Sequence, residues 1–266
     1  MQTYRIIQPT PALKPFIRYY WILQDRSSGI VTQRTLPTGC MSLVFHRGDR
    51  LKVTSRNEFQ PHSFICGQES GYSDVISTGD IEMIVVVFQP HAAKTIFRMP
   101  AALLRDRNVA VADIENPALR DLAHRVEDSE NHDICIELIE NYFYKCLMYG
   151  TPYHLPRLAE VVRHINNSTQ TNIKTLANIA CLSEKQFSRV FSEHIGTTPK
   201  DFLRVVRMQR TLSVLQHNPG IGFAQLSYEC GYTDQSHMIK EFKLFSGYTP
   251  KEYIARYSPV SDYFTF

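Results

Sequence analysis

The sequence predicts an α+β chain in two parts. A β-rich N-terminal half is closed by helices. An all-α half follows, built from two helix-turn-helix motifs joined by a linker helix. Three observations predict this. Short apolar runs separated by Gly, Pro and Asp fill residues 16–89. Helical spacing takes over near Pro90. A repeat then runs through the second half.

In chain order, residues 16–23 are a dense aromatic and apolar run, and 34–46 hold a Pro-Thr-Gly turn before Met41, Ser42, Leu43, Val44 and Phe45. Residues 63–67 are another apolar stretch. Residues 74–89 read as two strands around Thr78, Gly79 and Asp80, a hairpin signal. Strands this short and this spaced suit a small barrel or sandwich. Beyond Pro90, Ile134, Ile136, Leu138, Ile139, Tyr142, Phe143, Cys146 and Leu147 recur at helical spacing. They predict a helix over 134–148 with more apolar surface than one face needs. That surplus suits either the barrel or a second copy of the chain. Gly150, Thr151, Pro152 and Pro156 mark a linker. The expected division is a β-rich domain at 1–150, a helical domain at 151–257 and a tail at 258–266.

Charge breaks at the same place. Up to Gly150 there are 16 Lys and Arg against 17 Asp and Glu; from 151 to 257 there are 13 against 8. The positive excess therefore sits in the helical half, as expected of a domain that meets a polyanion. The six cysteines are scattered without a C-x-x-C, which argues against structural zinc. Pro9, Pro11 and Pro15 stand where a secretory leader would need an apolar run, and the run 83–88 is too short to span a bilayer. The expectation is a cytoplasmic chain with free thiols and no membrane partner.

The repeat aligns residues 173–203 with 223–254. Leu176 matches Leu226, Ala180 matches Cys230 and Cys181 matches Gly231. After a one-residue insertion, Phe187 matches Met238, Phe191 matches Phe242 and Gly196 matches Gly247. Thr198, Pro199 and Lys200 match Thr249, Pro250 and Lys251. Each copy reads as helix, turn, helix. Ser183 with Gln186 forms a capping box in the first; Thr233 or Asp234 caps the second. Gly196 and Gly247 end the second helices, and Pro199 and Pro250 suit the next first turns. Phe187, Val190 and Phe191 face inward in the first copy, as Met238, Phe242 and Phe245 do in the second. Lys185, Ser188, Arg189 and Ser192 then face outward, as do Ser236, Ile239, Lys240 and Lys243, with Gln235 near the helix start.

One polar helix face is usually just solvated. Two capped, basic faces that each follow a tight turn suit two helices laid in DNA grooves. Arg and Lys donate to guanine, Gln pairs with adenine, Ser suits several bases and Ile touches a thymine methyl. The candidate DNA-binding residues are therefore Lys185, Ser188, Arg189, Gln235, Ser236, Ile239, Lys240 and Lys243. Lys174, Lys200 and Lys251 are candidate phosphate contacts. The helix expected over 199–217 is about 28 Å long, near the roughly 34 Å between successive major grooves.

Residues 158–257 resemble the DNA-binding domain of the AraC/XylS transcriptional regulators. The stretch 229–253 carries most of the resemblance, with Gly231-Tyr232, Asp234-Gln235-Ser236, Phe242-Lys243, Gly247, Thr249-Pro250 and Tyr253. In the first copy, Phe187-Ser188-Arg189-Val190-Phe191 and Gly196-Thr197-Thr198-Pro199 also fit. Met238 stands where an aromatic is common, and Ile239 where a polar residue is more usual. The resemblance implies a bacterial, sequence-specific transcription regulator that recruits or blocks RNA polymerase. It also implies a cupin-like N-terminal barrel that binds a small-molecule effector or forms a homodimer.

Neither a catalytic motif nor a cofactor motif is legible, so the chain is expected not to be an enzyme and to need no cofactor. His46, His62 and His91, with Glu69 and Glu82, are the nearest approach to a metal set, at spacings that match no motif. A metal-dependent cupin is the enzyme alternative, and a protein-binding module the third. Methyl-transfer DNA repair would need clustered cysteines around zinc. Phe16, Tyr19, Tyr20, Trp21 and Phe45, with Arg18 and Arg34, are candidates for an effector pocket or for plain core.

Overall fold

Near-continuous apolar runs fold the first half into strands buried on both faces. The computed structural model describes residues 2–26, 29–148, 153–257, 259 and 261–264. Strands β1 (Gln2–Ile7), β2 (Ile17–Asp25), β3 (Thr32–Thr35), β4 (Ser42–His46) and β5 (Lys52–Val53) come first. They are followed by β6 (Glu58–Phe59), β7 (Ser63–Cys66), β8 (Ser73–Ile76) and β9 (Ile81–Phe88). Helix α1 (Ala93–Phe97) and a 3-10 turn (Ala101–Leu104) lead to β10 (Asn108–Ala110). Then come α2 (Pro117–Asp128) and α3 (His132–Leu147). The strands form a six-stranded sheet in the order β1-β2-β9-β4-β7-β10 and a four-stranded sheet in the order β3-β8-β5-β6. The pairing within both is antiparallel.

Each central strand feeds two cores. Tyr20, Ile22, Leu43, Phe45, Ile84, Val86 and Phe88 point toward Leu119, Leu122, Val126, Ile139 and Phe143 of α2 and α3. Tyr19, Val44, Phe64, Met83, Val85 and Val87 point the other way, into a core shared with the helical half. The apolar surplus of α3 is thus used on its own sheet, leaving Ile134 and Met148 exposed. Strand β10 interrupts the region of helical spacing. Three residues are too few to show a period, and only the pairing with Phe64–Cys66 makes it a strand.

The helical half runs α4 (Leu155–Asn167), α5 (Ile173–Ile179), α6 (Glu184–Ile195), α7 (Pro199–His217), α8 (Phe223–Glu229), α9 (Gln235–Ser246) and α10 (Pro250–Ile254). The linker residues Gly150, Thr151 and Pro152 lie outside the described residues. The first helix pair shares the core of the second sheet face. Leu176, Phe187, Phe191 and Phe202 pack in one cluster with Val44, Phe64 and Val85. The second pair has smaller cores of its own, around Phe242 and Phe245 and around Leu226 and Met238. No helix among the described residues is long and apolar enough to cross a membrane.

The aromatic set read as pocket or core is split by the sheet. Phe16, Tyr20 and Phe45 lie on the helix side, while Tyr19 and Trp21 lie on the other. Among the candidate metal residues the His46 backbone N–H donates to the His62 carbonyl at 2.7 Å, but the set shares no centre. His46 Nε2 meets Gln60 at 3.0 Å, His91 Nε2 meets the Pro15 carbonyl at 3.1 Å, and Glu82 is bound by Arg47 and His132. Among the described residues no three His, Cys, Asp or Glu form a metal-ready group.

Candidate nucleic-acid interface

The two helix-turn-helix units are built by the same local devices. Helix α6 starts at Ser183, whose side chain accepts from the Gln186 amide while the Gln186 side chain returns to the Ser183 amide. Helix α9 starts at Asp234, which accepts from the His237 amide at 2.8 Å, so Asp234 rather than Thr233 is the cap. Each unit's first helix ends in one backbone pattern. Leu182 N–H donates to Ala177 at 3.0 Å, and Tyr232 N–H donates to Ser227 at 2.9 Å. This needs a left-handed residue, supplied by Cys181 at φ 53° and Gly231 at φ 75°. Gly231 is required for a second reason. A Cβ there would lie 2.2 Å from the Thr169 carbonyl oxygen.

Inward residues fix how far each recognition helix stands out. Phe187, Phe191, Met238 and Phe242 are fully buried. Lys185 and Arg189 on α6 are exposed, and so are Gln235, Ser236, Lys240 and Lys243 on α9. Ser188 and Ile239 are half-buried, and Ile239 packs partly on the Leu226–Met238 core. The structure therefore places six of the eight candidates fully at the surface and two at its margin. Lys174, Lys200 and Lys251 are exposed as well.

Acidic side chains on these helices are mostly drawn off the outer face. Glu193 Oε2 is 2.7 Å from Lys94 Nζ of α1, and this pairing holds its carboxyl below the usual range. Glu241 is buried, with Arg204 Nε 2.7 Å from Oε1. Arg207 Nε lies 3.2 Å from Oε2, a charge contact without hydrogen-bond alignment. Glu184 remains exposed in the first turn of α6, where the helix dipole favours it. Lys185, Arg189, Lys240 and Lys243 take part in no ion pair within 4.0 Å among the described residues, so their charge is available to an anion.

A model of a helix-turn-helix domain matches residues 176–256, the two units and the helix between them. Residues 176–256 form an AraC-type helix-turn-helix domain. A domain of unknown function (DUF6597) matches residues 5–110, the two sheets and α1. An uncharacterized HTH-type transcriptional regulator of Haemophilus influenzae is 34% identical over 82 residues, 31% of this chain and 27% of that protein. The match thus spans little more than a quarter of that relative. The uncharacterized HTH-type transcriptional regulator YidL of Escherichia coli is 23% identical over 262 residues, 93% of this chain and 79% of its own length. Among solved structures, ToxT from Vibrio cholerae aligns over 96% of this chain and 97% of its own, at 9% identity and a TM-score of 0.45.

Sequence reading missed how the AraC-type domain is held to the sheets. Arg105 of the 3-10 turn reaches Asp201 at 3.0 Å, and Gln209 Nε2 donates to the Pro37 carbonyl at 2.8 Å. Arg34, paired with Asp74, donates to the Ser246 carbonyl at the end of α9 at 2.9 Å. These partners are far apart in the chain and share no motif. Arg34, within β3, stands out in the sequence only as a pocket candidate, and nothing in the sequence around Arg105 or Gln209 marks their partners.

Proposed function

We propose that the whole chain is a sequence-specific transcription regulator whose two recognition helices, α6 and α9, enter consecutive major grooves of one DNA duplex. The single observation that carries this is the matched pair of capped helices with unpaired outward cations. Lys185, Ser188 and Arg189 read one groove; Gln235, Ser236, Ile239, Lys240 and Lys243 read the next. Lys174, Lys200 and Lys251 bind phosphates, so affinity falls as salt rises. The two-domain division at 150/151 separates this reader from an N-terminal domain that takes a small-molecule effector. Self-assembly uses the surface of α3 around Ile134 and Met148, and RNA polymerase is the downstream partner. The chain acts in the cytoplasm and carries no catalysis.

Selection of bound sequences from a random DNA pool, followed by footprinting, tests this. The expected result is two protected segments about one helical turn apart on one face. Binding without sequence preference at moderate salt would sink the reading. Arg189→Ala is expected to cost about 1–3 kcal/mol and to relax preference at one base pair. Equal loss on all sequences would instead make Arg189 a phosphate contact.

A further inference from the structure

The described residues 261–264 beyond α10 form a short segment packed between the two domains. Ser261 and Tyr263 are 0% and 1% exposed, and Tyr263 belongs to the core shared by both domains. Its backbone is gripped by the N-terminal domain. Arg18 donates to the Tyr263 carbonyl at 2.5 Å, and Tyr19 O–H donates to the Asp262 carbonyl at 3.2 Å. Its side chains are gripped by the helical domain. Tyr263 O–H donates to Asn166 Oδ1 at 2.8 Å, and Ser261 O–H donates to Gln209 Oε1 at 2.9 Å. The phenol ring lies under the Arg18 guanidinium, 4.7 Å from it, and edge-on to Phe202. Gly39 of the β3–β4 connection closes the other side; a Cβ there would touch the ring at 3.6 Å.

A socket with an apolar wall, a cation over the ring and one acceptor at its floor fits a para-substituted phenol. Because its walls come from both domains, filling it ties them together. We propose that this socket is a phenol-binding site whose resident ligand is Tyr263, and that its occupancy holds the helix-turn-helix domain against the N-terminal domain and so sets affinity for DNA. The last clause rests on the DNA-binding reading above; the socket itself does not.

The test uses the full chain with Tyr263→Ala and Tyr263→Phe. Chymotrypsin cleavage after the exposed Tyr153, between α3 and α4, reports separation of the domains. Emptying the socket is expected to raise the cleavage rate about tenfold and to shift affinity for a selected DNA about threefold. Tyr263→Phe, which keeps the ring, shifts both much less. Millimolar 4-methylphenol is expected to return the Tyr263→Ala protein toward the parent in both readouts, because an apolar cavity of this kind takes up a matching ring. A folded Tyr263→Ala protein with parental cleavage and affinity overturns the proposal, as does one that 4-methylphenol leaves unchanged. If that variant fails to fold, Arg18→Ala removes the cation over the ring and the donor to the Tyr263 carbonyl instead, and parental cleavage there is equally fatal. Absence of DNA binding by the parent chain would count against the functional reading alone, since cleavage still reports on the socket.

Discussion

The two helix-turn-helix units share a backbone but not a dependence. In the first, the position after Arg189 is Val190, a core residue; in the second it is Glu241, held by Arg204 and Arg207 of α7. Where the first has buried His194, the second has Phe245. The first unit completes its core with the sheet, through Phe187, Phe191 and Phe202. The second closes on itself and on α7, and meets the N-terminal domain mainly through Arg34. One motif can therefore be a fixture in one copy and a semi-independent unit in the other. The difference lies in what each copy packs against.

Equivalent substitutions should break the comparison most clearly at the core. Phe187→Ala is expected to cost about 3–5 kcal/mol and Met238→Ala about 2–5 kcal/mol. The single tryptophan, Trp21, borders the shared core. Its fluorescence in a denaturant titration should follow the Phe187 loss and register the Met238 loss far less. Equal shifts would show that the units are not distinct in this way.

Smaller effects sharpen it. Glu241→Val, which writes the first copy's residue into the second, should cost about 1–3 kcal/mol because two partly buried arginines lose this carboxylate, Arg204 keeping Asp201 and Arg207 keeping the Gly231 carbonyl. Helical signal during thermal unfolding reads this out. At the turns, Gly231→Ala should cost at least about 1–2 kcal/mol from its left-handed backbone alone. The Thr169 contact adds to that. Cys181→Gly should change stability by less than about 1 kcal/mol, since relief of the same backbone offsets the freedom gained on unfolding. A loss as large as that of Gly231→Ala would refute the difference between the turns.

The last contrast, His194 against Phe245, adds a dependence on pH. Burial lowers His194 to about 4, and Lys94 and His154 face it from the neighbouring elements along with Glu193 and His91. The folded value lies below the ordinary 6.5, so the unfolded chain binds the extra proton. Stability contributed by neutral His194 is present above pH 6.5 and is lost as pH falls toward 4. His91 and His46 are lowered to about 4 for the same reason and act in the same direction. His194→Phe, copying the second unit, should flatten part of the slope between pH 6.5 and 4 in Trp21-monitored denaturation. An unchanged slope would remove His194 from the account.

Much of the DNA-facing geometry was legible because it is local. The spans 184–195, 199–217 and 235–246, the Ser183 capping box and the glycine ends follow from neighbours within four residues. The inward and outward faces follow from helical period alone. Ile239 was read as outward yet is half-buried, because the width of an exposed face depends on how closely the core beneath it closes. In the first half, the apolar runs located β2, β4, β7, β8 and β9, but the hairpin expected around Thr78, Gly79 and Asp80 does not form, because β8 pairs in the four-stranded sheet and β9 in the six-stranded one. Strand β10 was missed, since its three residues are a strand only by pairing.

By itself, then, the sequence determined two capped, cationic helix-turn-helix units on a 19-residue connecting helix, since backbone capping and amphipathic spacing act over a few residues. Only the tertiary structure decided which unit shares the sheet's core and where Glu193 and Glu241 turn. It also decided that Tyr263 belongs in a socket between domains. Those outcomes depend on contacts between residues tens to hundreds of positions apart. Burial and charge pairing set their energies only once the chain has closed.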